Sequence, residues 1–328
     1  MTQKIHFINQ KHEKLEAMER RTPFTHPARL KVESSVDISR SGEWGERRLD
    51  FYISFLHKNN YLIIEGLRLS SGTYHFQIDT LLVHPTFILI FEVKNLTGNL
   101  IFDTDYNQLI QQFDDREVIH KDPIQQVNLQ HFQLSEWLNH YDFSKNIPIL
   151  SFVVIVNDNA RILPMNNHDL LTKKVIRNTK IRDVLNEFHA TYDKEILSRK
   201  DLQTLKNLFL KLHTPNNPDL LSKLNIKKEE LITGVQCPGC SRFPMRRHYG
   251  KWHCLECNAV SKNAHILSLR DYFLLFHPAI TNRQLRQFLH VSSDSVAKKI
   301  AHSLNLTHTG STKDRIYHLG SLWPKNYR

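Results

Sequence analysis

The sequence predicts a mixed α/β domain, a sheet flanked by helices, followed by a small cysteine-held ribbon and a C-terminal helical module. Three observations carry that prediction. A helix, a run of strands, a second helix and a further buried strand follow one another over residues 39–156, the order expected of helices packed on a mixed sheet. All four cysteines fall in two CxxC pairs, Cys237-Pro238-Gly239-Cys240 and Cys254-Leu255-Glu256-Cys257, thirteen residues apart. Beyond them, two short helical segments meet at a tight turn and run into a hairpin pattern.

Taken in order, residues 1–35 read as a helical extension, the mixed-charge HEKLEAMERR broken at Thr22-Pro23 and His26-Pro27. Ser39-Arg40-Ser41-Gly42 opens the helix GEWGERRLDFYISFLHK, whose apolar face includes Leu49, Ile53 and Leu56. Glu46 lies three and seven residues before Leu49 and Ile53, on the same inward face. A glutamate in a first turn also suits the helix dipole, and position does not choose between the two readings. Strands are expected at Tyr61–Glu65, Phe76–Val83 and Phe87–Lys94, with a fourth at Asn99–Phe102. A longer helix follows Asp122-Pro123, its proline at an early position where the missing N–H costs little. Ile147–Val156 is a further buried strand, and two helices span Ile181 to His213, the second capped by Ser198 with Asp201 three residues on. Thr214-Pro215-Asn216-Asn217-Pro218 reads as a linker. The expected divisions are an extension at 1–35, the α/β domain at 36–213, a linker at 214–231, the ribbon at 232–260 and the helical module at 261–328.

Composition bounds the class. Hydrophobic residues make up 40% and Gly and Pro are few, which argues for order. The polar start MTQKIHFINQKHEK has no apolar leader and no stretch offers the roughly 18 apolar residues of a membrane span, so a soluble, cytoplasmic protein is expected. The net charge of +11 is unevenly placed: 14 Lys and Arg stand against 4 Asp and Glu from residue 231 on, and 30 against 29 before it. A polyanion such as nucleic acid suits this basic tail, as does a solvated basic surface.

One stretch, Gln77–Gly98, puts charges where water is scarce. Phe87-Ile88-Leu89-Ile90-Phe91 is continuously apolar, as in a strand covered on both faces, and leads directly into Glu92-Val93-Lys94. Side chains alternate along a strand, so Glu92 and Lys94 share a face, and Asp79 ends a neighbouring segment able to pair with it. Charges so placed must be paired or bound to metal. A strand-end ion pair of Glu92 with Lys94 is one answer, a metal site the other.

The cysteines suit tetrahedral zinc, each CxxC letting two sulfurs converge, with Tyr249-Gly250 as a hairpin turn between them. A redox pair or an iron–sulfur cluster would use the same residues. Four protein ligands leave no open position, so the metal would be structural. Arg242, Arg246, Arg247 and Lys251 are candidate phosphate contacts, and Trp252 is either the ribbon's core or a stacking surface for bases. Downstream, His265–Phe276 is helical, Thr281 caps Asn282–Leu289, and Ser292 or Ser293 caps the next helix to Leu304. The pair resembles a helix-turn-helix with a wing at Thr307–Leu319. Ser293, Ser295, Lys298, Lys299, Lys313 and Arg315 would then face nucleic acid; a helical cap on the ribbon is the alternative.

Residues 38–160 together resemble the NERD family, the nuclease-related domain, a branch of the PD-(D/E)XK nuclease superfamily. The resemblance rests on Gly42-Glu43-Trp44-Gly45-Glu46, Gln77-Ile78-Asp79, Glu92-Val93-Lys94-Asn95 with Gly98, and Pro123 with Gln126, in that order. It implies a restriction-endonuclease-like mixed sheet and a metal-dependent nuclease acting on DNA, with RNA left open. By resemblance Asp79, Glu92 and the Val93 carbonyl bind Mg²⁺ or Mn²⁺, Lys94 orients or deprotonates the water, Glu46 is an outer metal contact, and Gln126 positions Lys94 or the phosphate. The proline that names the superfamily motif is absent, Ile78 standing before Asp79. A protein that keeps the nuclease fold to bind DNA or to regulate, without cutting, is the rival.

Overall fold

The computed structural model describes residues 2–56, 60–143, 146–311 and 314–323. Its contacts gather into two units, each threaded twice by the chain: Met1–Ile8 with Arg40–Pro215, and Asn9–Ser39 with Asn216–Arg328. Residues 1–35, expected as one extension, are therefore shared out. β1 (Gln3–His6) joins a sheet of the first unit, α1 (Gln10–Arg21) belongs to the second, and α2 (Arg29–Ile53) contributes to both. The helix expected to open at Ser39 starts at Arg29 instead. Val32 and Val36, one turn apart and fully buried, carry it through the Ser- and Gly-containing stretch that reads locally as a cap.

The first unit continues with β2 (Leu62–Ser71), β3 (Tyr74–Val83), β4 (Ile88–Lys94), β5 (Gly98–Asp103), β6 (Gln108–Gln112) and β7 (Glu117–Lys121). Then come α3 (Pro123–His140), β8 (Ile149–Ile155), β9 (Ala160–Pro164), α4 (His168–Lys174), β10 (Val175–Arg177), α5 (Ile181–Thr191) and α6 (Arg199–Leu212). The main sheet has the order β1-β2-β3-β4-β8-β10, antiparallel only where β3 meets β2 and β4. The strand expected at Asn99–Phe102 does not extend it. Gly98, at φ +80°, turns the chain aside where a Cβ would meet the Gln112 carbonyl oxygen at 2.7 Å, and β5 opens a second sheet, β7-β6-β5-β9.

β4 is central and buried on both faces, so its residues alternate between two cores. Ile88 and Ile90 pack with Ile124, Val127 and Leu134 of α3, while Leu89 and Phe91 pack with Leu49 and Ile53 of α2 and Leu185 of α5. α3 starts where Asp122 accepts the Ile124 amide hydrogen at 2.8 Å, with Pro123 in its first turn.

In the second unit α7 (Leu220–Lys223) precedes a ribbon of β11 (Arg246–His248), β12 (Lys251–His253) and β13 (Val260–Ser261). α8 (His265–Leu275), β14 (Ala279–Thr281), α9 (Asn282–Leu289) and α10 (Asp294–Ser303) follow, then the hairpin β15 (Thr307–Thr309) and β16 (Ile316–His318). The sheet order β14-β16-β15 beside these helices is winged-helix-like. Ribbon and helical module are not separate bodies as the sequence suggests. Met245 and Trp252 share one core with Leu269, Tyr272 and Phe288. Nor is 214–231 a bare linker, since Leu220, Leu221, Ile226 and Leu231 are buried. Among the described residues no helix is long and apolar enough to cross a membrane.

Candidate active site and metal centre

Pairing between β3 and β4 runs from Val83 opposite Ile88 to Thr80 opposite Phe91 and stops there, while β4 stays paired with β8 as far as Lys94. The two strands fork, and Asp79 and Glu92 stand on either side of the fork. Asp79 Oδ2 accepts the Val93 amide hydrogen at 2.9 Å. Glu92 is buried; its Oε1 accepts from Lys94 Nζ at 2.6 Å and its Oε2 from Gln130 Nε2 at 2.6 Å. Lys94 Nζ also donates to Gln126 Oε1 at 3.2 Å. Four residues singled out in the sequence, Asp79, Glu92, Lys94 and Gln126, thus meet in one place, joined by the Val93 backbone.

Glu46 approaches from α2. Burial pushes its carboxyl up to about 9, and the charges of Asp79, Glu43, Glu65 and Glu92 add to that. Burial and then the Glu92 carboxylate push Asp79 up to about 7, against the opposing pull of Lys94 and the Val93 amide. Glu46 is thus half-buried and within the electrostatic reach of the carboxylates at the fork. Carboxylates crowded out of water repel one another until a cation or protons intervene. Mg²⁺ is held by one or two carboxylates with several waters, so the donors present fit such an ion. They form no closed cage: among the described residues, the cysteines are the only set of three or more Cys, His, Asp or Glu whose ligand atoms lie within 4.8 Å of one another.

Residues 41–156 match the family model NERD, the nuclease-related domain. No curated protein and no solved structure matches the chain. The glycine between Trp44 and Glu46 has a steric reason. A Cβ on Gly45 would lie 2.8 Å from the Asn95 Cβ, so only glycine lets α2 come this close to the end of β4. Asn95 then donates to the Ser41 carbonyl at 2.9 Å and accepts from Asn157 Nδ2 at 3.0 Å, tying α2, β4 and the end of β8 together beside Glu46. Gln130 escaped the sequence reading although it stands one helical turn after Gln126; its second hydrogen bond, to the Gln77 carbonyl at 2.9 Å, pins α3 to β3.

Cys237, Cys240, Cys254 and Cys257 converge, with sulfurs 3.6 Å apart for Cys237 and Cys257 and 3.5 Å for Cys240 and Cys254. A disulfide needs about 2.05 Å. Tetrahedral zinc at about 2.3 Å places its sulfurs about 3.8 Å apart, so the spacing suits a four-thiolate metal. The Gly239 amide donates to Cys237 Sγ at 3.3 Å. Trp252 is fully buried and donates to His265 Nδ1 at 3.0 Å, so its ring is core and presents no face to a base.

The basic residues divide by surroundings. Arg242, Arg246 and Lys251 are exposed, whereas the Arg247 guanidinium lies 5.0 Å over the Trp252 ring. Ser293 caps α10, accepting from the Val296 amide at 3.4 Å and bonding Ser295 Oγ at 2.8 Å. Lys298 pairs with Asp294 at 2.7 Å and Lys299 is exposed. Arg315 Nη2 donates to the Ser311 carbonyl at 2.7 Å, and with Lys298, Lys299, His302 and His308 it lines a 720 Å³ cleft between α10 and the hairpin. Lys313 lies outside the described residues.

Proposed function

We propose that the first unit is a metal-dependent nuclease hydrolysing phosphodiester bonds in DNA, and that the ribbon and winged-helix-like module hold the nucleic acid. The observation that carries this reading is the fork, where Asp79 and Glu92 face one another beside a lysine and a glutamine in a domain related to nucleases. Asp79, Glu92 and the Val93 carbonyl would hold a divalent cation, which supplies charge neutralisation at the phosphate and a more acidic water. Lys94 spends two N–H bonds on Glu92 and Gln126, leaving its third to orient the water or a phosphate oxygen. Gln126 and Gln130 keep Lys94 and Glu92 from swinging away. The basic balance of the chain beyond residue 231 and the cleft beside α10 support a polyanion-binding role for the second unit.

Linear, nicked and single-stranded DNA incubated with the full chain and Mg²⁺, Mn²⁺ or EDTA test the reading. Cleavage requiring metal and lost on Lys94→Ala is expected; metal-dependent cutting that survives this substitution overturns the assigned role. Binding without cutting would favour the scaffold reading. The cysteines are expected to hold one zinc per chain, lost on Cys237→Ser. Neutralising Lys298, Lys299 and Arg315 together should weaken DNA binding and flatten its salt dependence by about three ion equivalents.

A further inference from the structure

A second basic pocket adjoins the cleft beside α10. It measures 470 Å³ and lies between α9, the first turn of α10 and the loop of the β15–β16 hairpin. Arg283 and Arg286 of α9 line it with Lys298 and Arg315, four cations against the one carboxylate of Asp294. That carboxylate is already paired with Lys298 at 2.7 Å. We propose that the sugar–phosphate backbone of DNA lies along both pockets, with phosphates on either side of Arg315, so that the module grips DNA without reading its sequence. The proposal rests on the DNA-binding reading of the second unit given above.

Lys298, Arg315 and the buried Tyr317 line both pockets, so the two are neighbours that share a wall. In the larger one Lys298, Lys299 and Arg315 stand with His302 and His308, and no carboxylate of the described residues lines it. Positive charge on both sides of a shared wall suits a chain of phosphates better than one isolated anion. Arg286 is fixed in place at the α9 side. Its Nε donates to Asn282 Oδ1 at 3.1 Å and its Nη1 to the Ser292 carbonyl at 3.1 Å, while Nη2 makes no bond among the described residues. Asn282 Nδ2 in turn donates to the Asp294 carbonyl at 3.3 Å, which ties the starts of α9 and α10 together. A guanidinium so held loses little further freedom when it donates to a phosphate. Arg283, one turn before Arg286, is exposed and has no partner among the described residues.

The first turn of α10 argues against base readout. A helix-turn-helix reads base edges chiefly with the N-terminal residues of its second helix. Here Ser293 Oγ accepts from the Val296 amide at 3.4 Å and bonds Ser295 Oγ at 2.8 Å, and the Asp294 carboxylate holds Lys298. The polar atoms that would meet bases are bonded to one another or to a neighbouring lysine. Arg283 and Lys299, by contrast, are exposed and unpaired among the described residues. Contacts to phosphate position a protein on DNA and carry no sequence information directly.

The test is fluorescence anisotropy on the zinc-loaded full chain without added Mg²⁺ or Mn²⁺, using short duplexes of several unrelated sequences from about 50 to 200 mM KCl. Wild-type affinities should agree within about tenfold across the sequences. Arg283→Gln, which removes no contact of the fold, should weaken binding to every duplex by one common factor and lower the salt slope by about one. Arg283→Lys should restore the slope. Arg283→Gln combined with Lys299→Gln should lower it by about two, one for each pocket. Ser295→Ala should leave the ranking of the sequences unchanged. A wild-type chain that binds no duplex overturns the DNA-binding reading and this inference with it. Binding in which Arg283→Gln keeps affinity and slope, a sequence preference above about tenfold, or a ranking changed by Ser295→Ala overturns the inference alone.

Discussion

Asp79 Oδ2 accepts the Val93 amide hydrogen at 2.9 Å across the gap where β3 parts from β4. The bond makes the carboxylate a substitute for the strand pairing that ends one residue earlier, so the group that would bind metal also closes the fork. Asp79→Asn separates these jobs. Its amide oxygen can still accept from Val93, but the charge is gone. Folding without added Mg²⁺ or Mn²⁺ should be retained or slightly strengthened, since one of the mutually repelling carboxylates is removed, while Mn²⁺ affinity falls at least about tenfold. Calorimetric titration beside thermal melts would decide; unchanged affinity would contradict the assignment.

The same crowding sets a pH dependence. Asp79 is pushed up to about 7 and Glu46 to about 9, in both cases by burial first and neighbouring carboxylates second. A carboxyl whose folded value lies above its unfolded value of about 4 binds its proton more tightly in the native state. The metal-free protein must therefore lose stability as pH rises from about 4 through these values. Melting midpoints of the zinc-loaded protein without added Mg²⁺ or Mn²⁺ should fall from about pH 5 to pH 9, Mn²⁺ should restore more at the alkaline end, and Glu46→Gln should flatten the slope. A midpoint that rises over this range would remove Glu46 and Asp79 from a shared cluster.

Much of the fork was legible because strand alternation is a local rule. Phe87–Phe91 reads as a doubly covered strand, and the two-residue spacing of Glu92 and Lys94 puts them on one face, where they meet at 2.6 Å. The Asp79–Val93 bond could not be read, because it depends on where pairing with a neighbouring strand stops. β6 and β7, QLIQQ and EVIHK, are short and polar, and their pairing depends on the left-handed turn at Gly98. The start of α2 was hidden by Ser39–Gly42, whose cap-like residues are overridden by buried Val32 and Val36. Gln130 shares a helix face with Gln126, and that spacing alone would have found it.

Gly45 tests how closely α2 must approach. Gly45→Ala brings a Cβ to 2.8 Å from the Asn95 Cβ, an atom next to the backbone that cannot swing away. The substitution should cost about 1–3 kcal/mol. By pushing Glu46 outward it should also lower the rate of metal-dependent cleavage by about 100-fold. Denaturant unfolding and kcat measured on one preparation would separate the two effects, and a variant as active as wild type would show that α2 need not sit against β4.

The placement of residues 9–39 in the second unit rests on a buried ion pair. Arg21 and Asp271 are both fully buried; Arg21 Nε donates to Asp271 Oδ2 at 2.8 Å, and Arg20 Nη2 to Oδ1 at 2.8 Å. Arg21 Nη1 donates to the Gly234 carbonyl at 2.8 Å, and its guanidinium lies 4.7 Å from the Phe243 ring and 4.9 Å from that of Phe288. One side chain of α1 thus touches α8, the start of the ribbon and α9. Removing either charge leaves the other buried without its partner, at a cost of about 3–5 kcal/mol. Asp271→Ala should lower the denaturant midpoint of the second unit accordingly, and the double variant Arg21→Met with Asp271→Leu should recover much of the loss. A fragment of residues 216–328 lacking α1 should fail to unfold cooperatively, whereas the same fragment expressed with residues 9–39 should do so. Cooperative folding of 216–328 alone would mean that α1 is an accessory to that unit rather than part of its core.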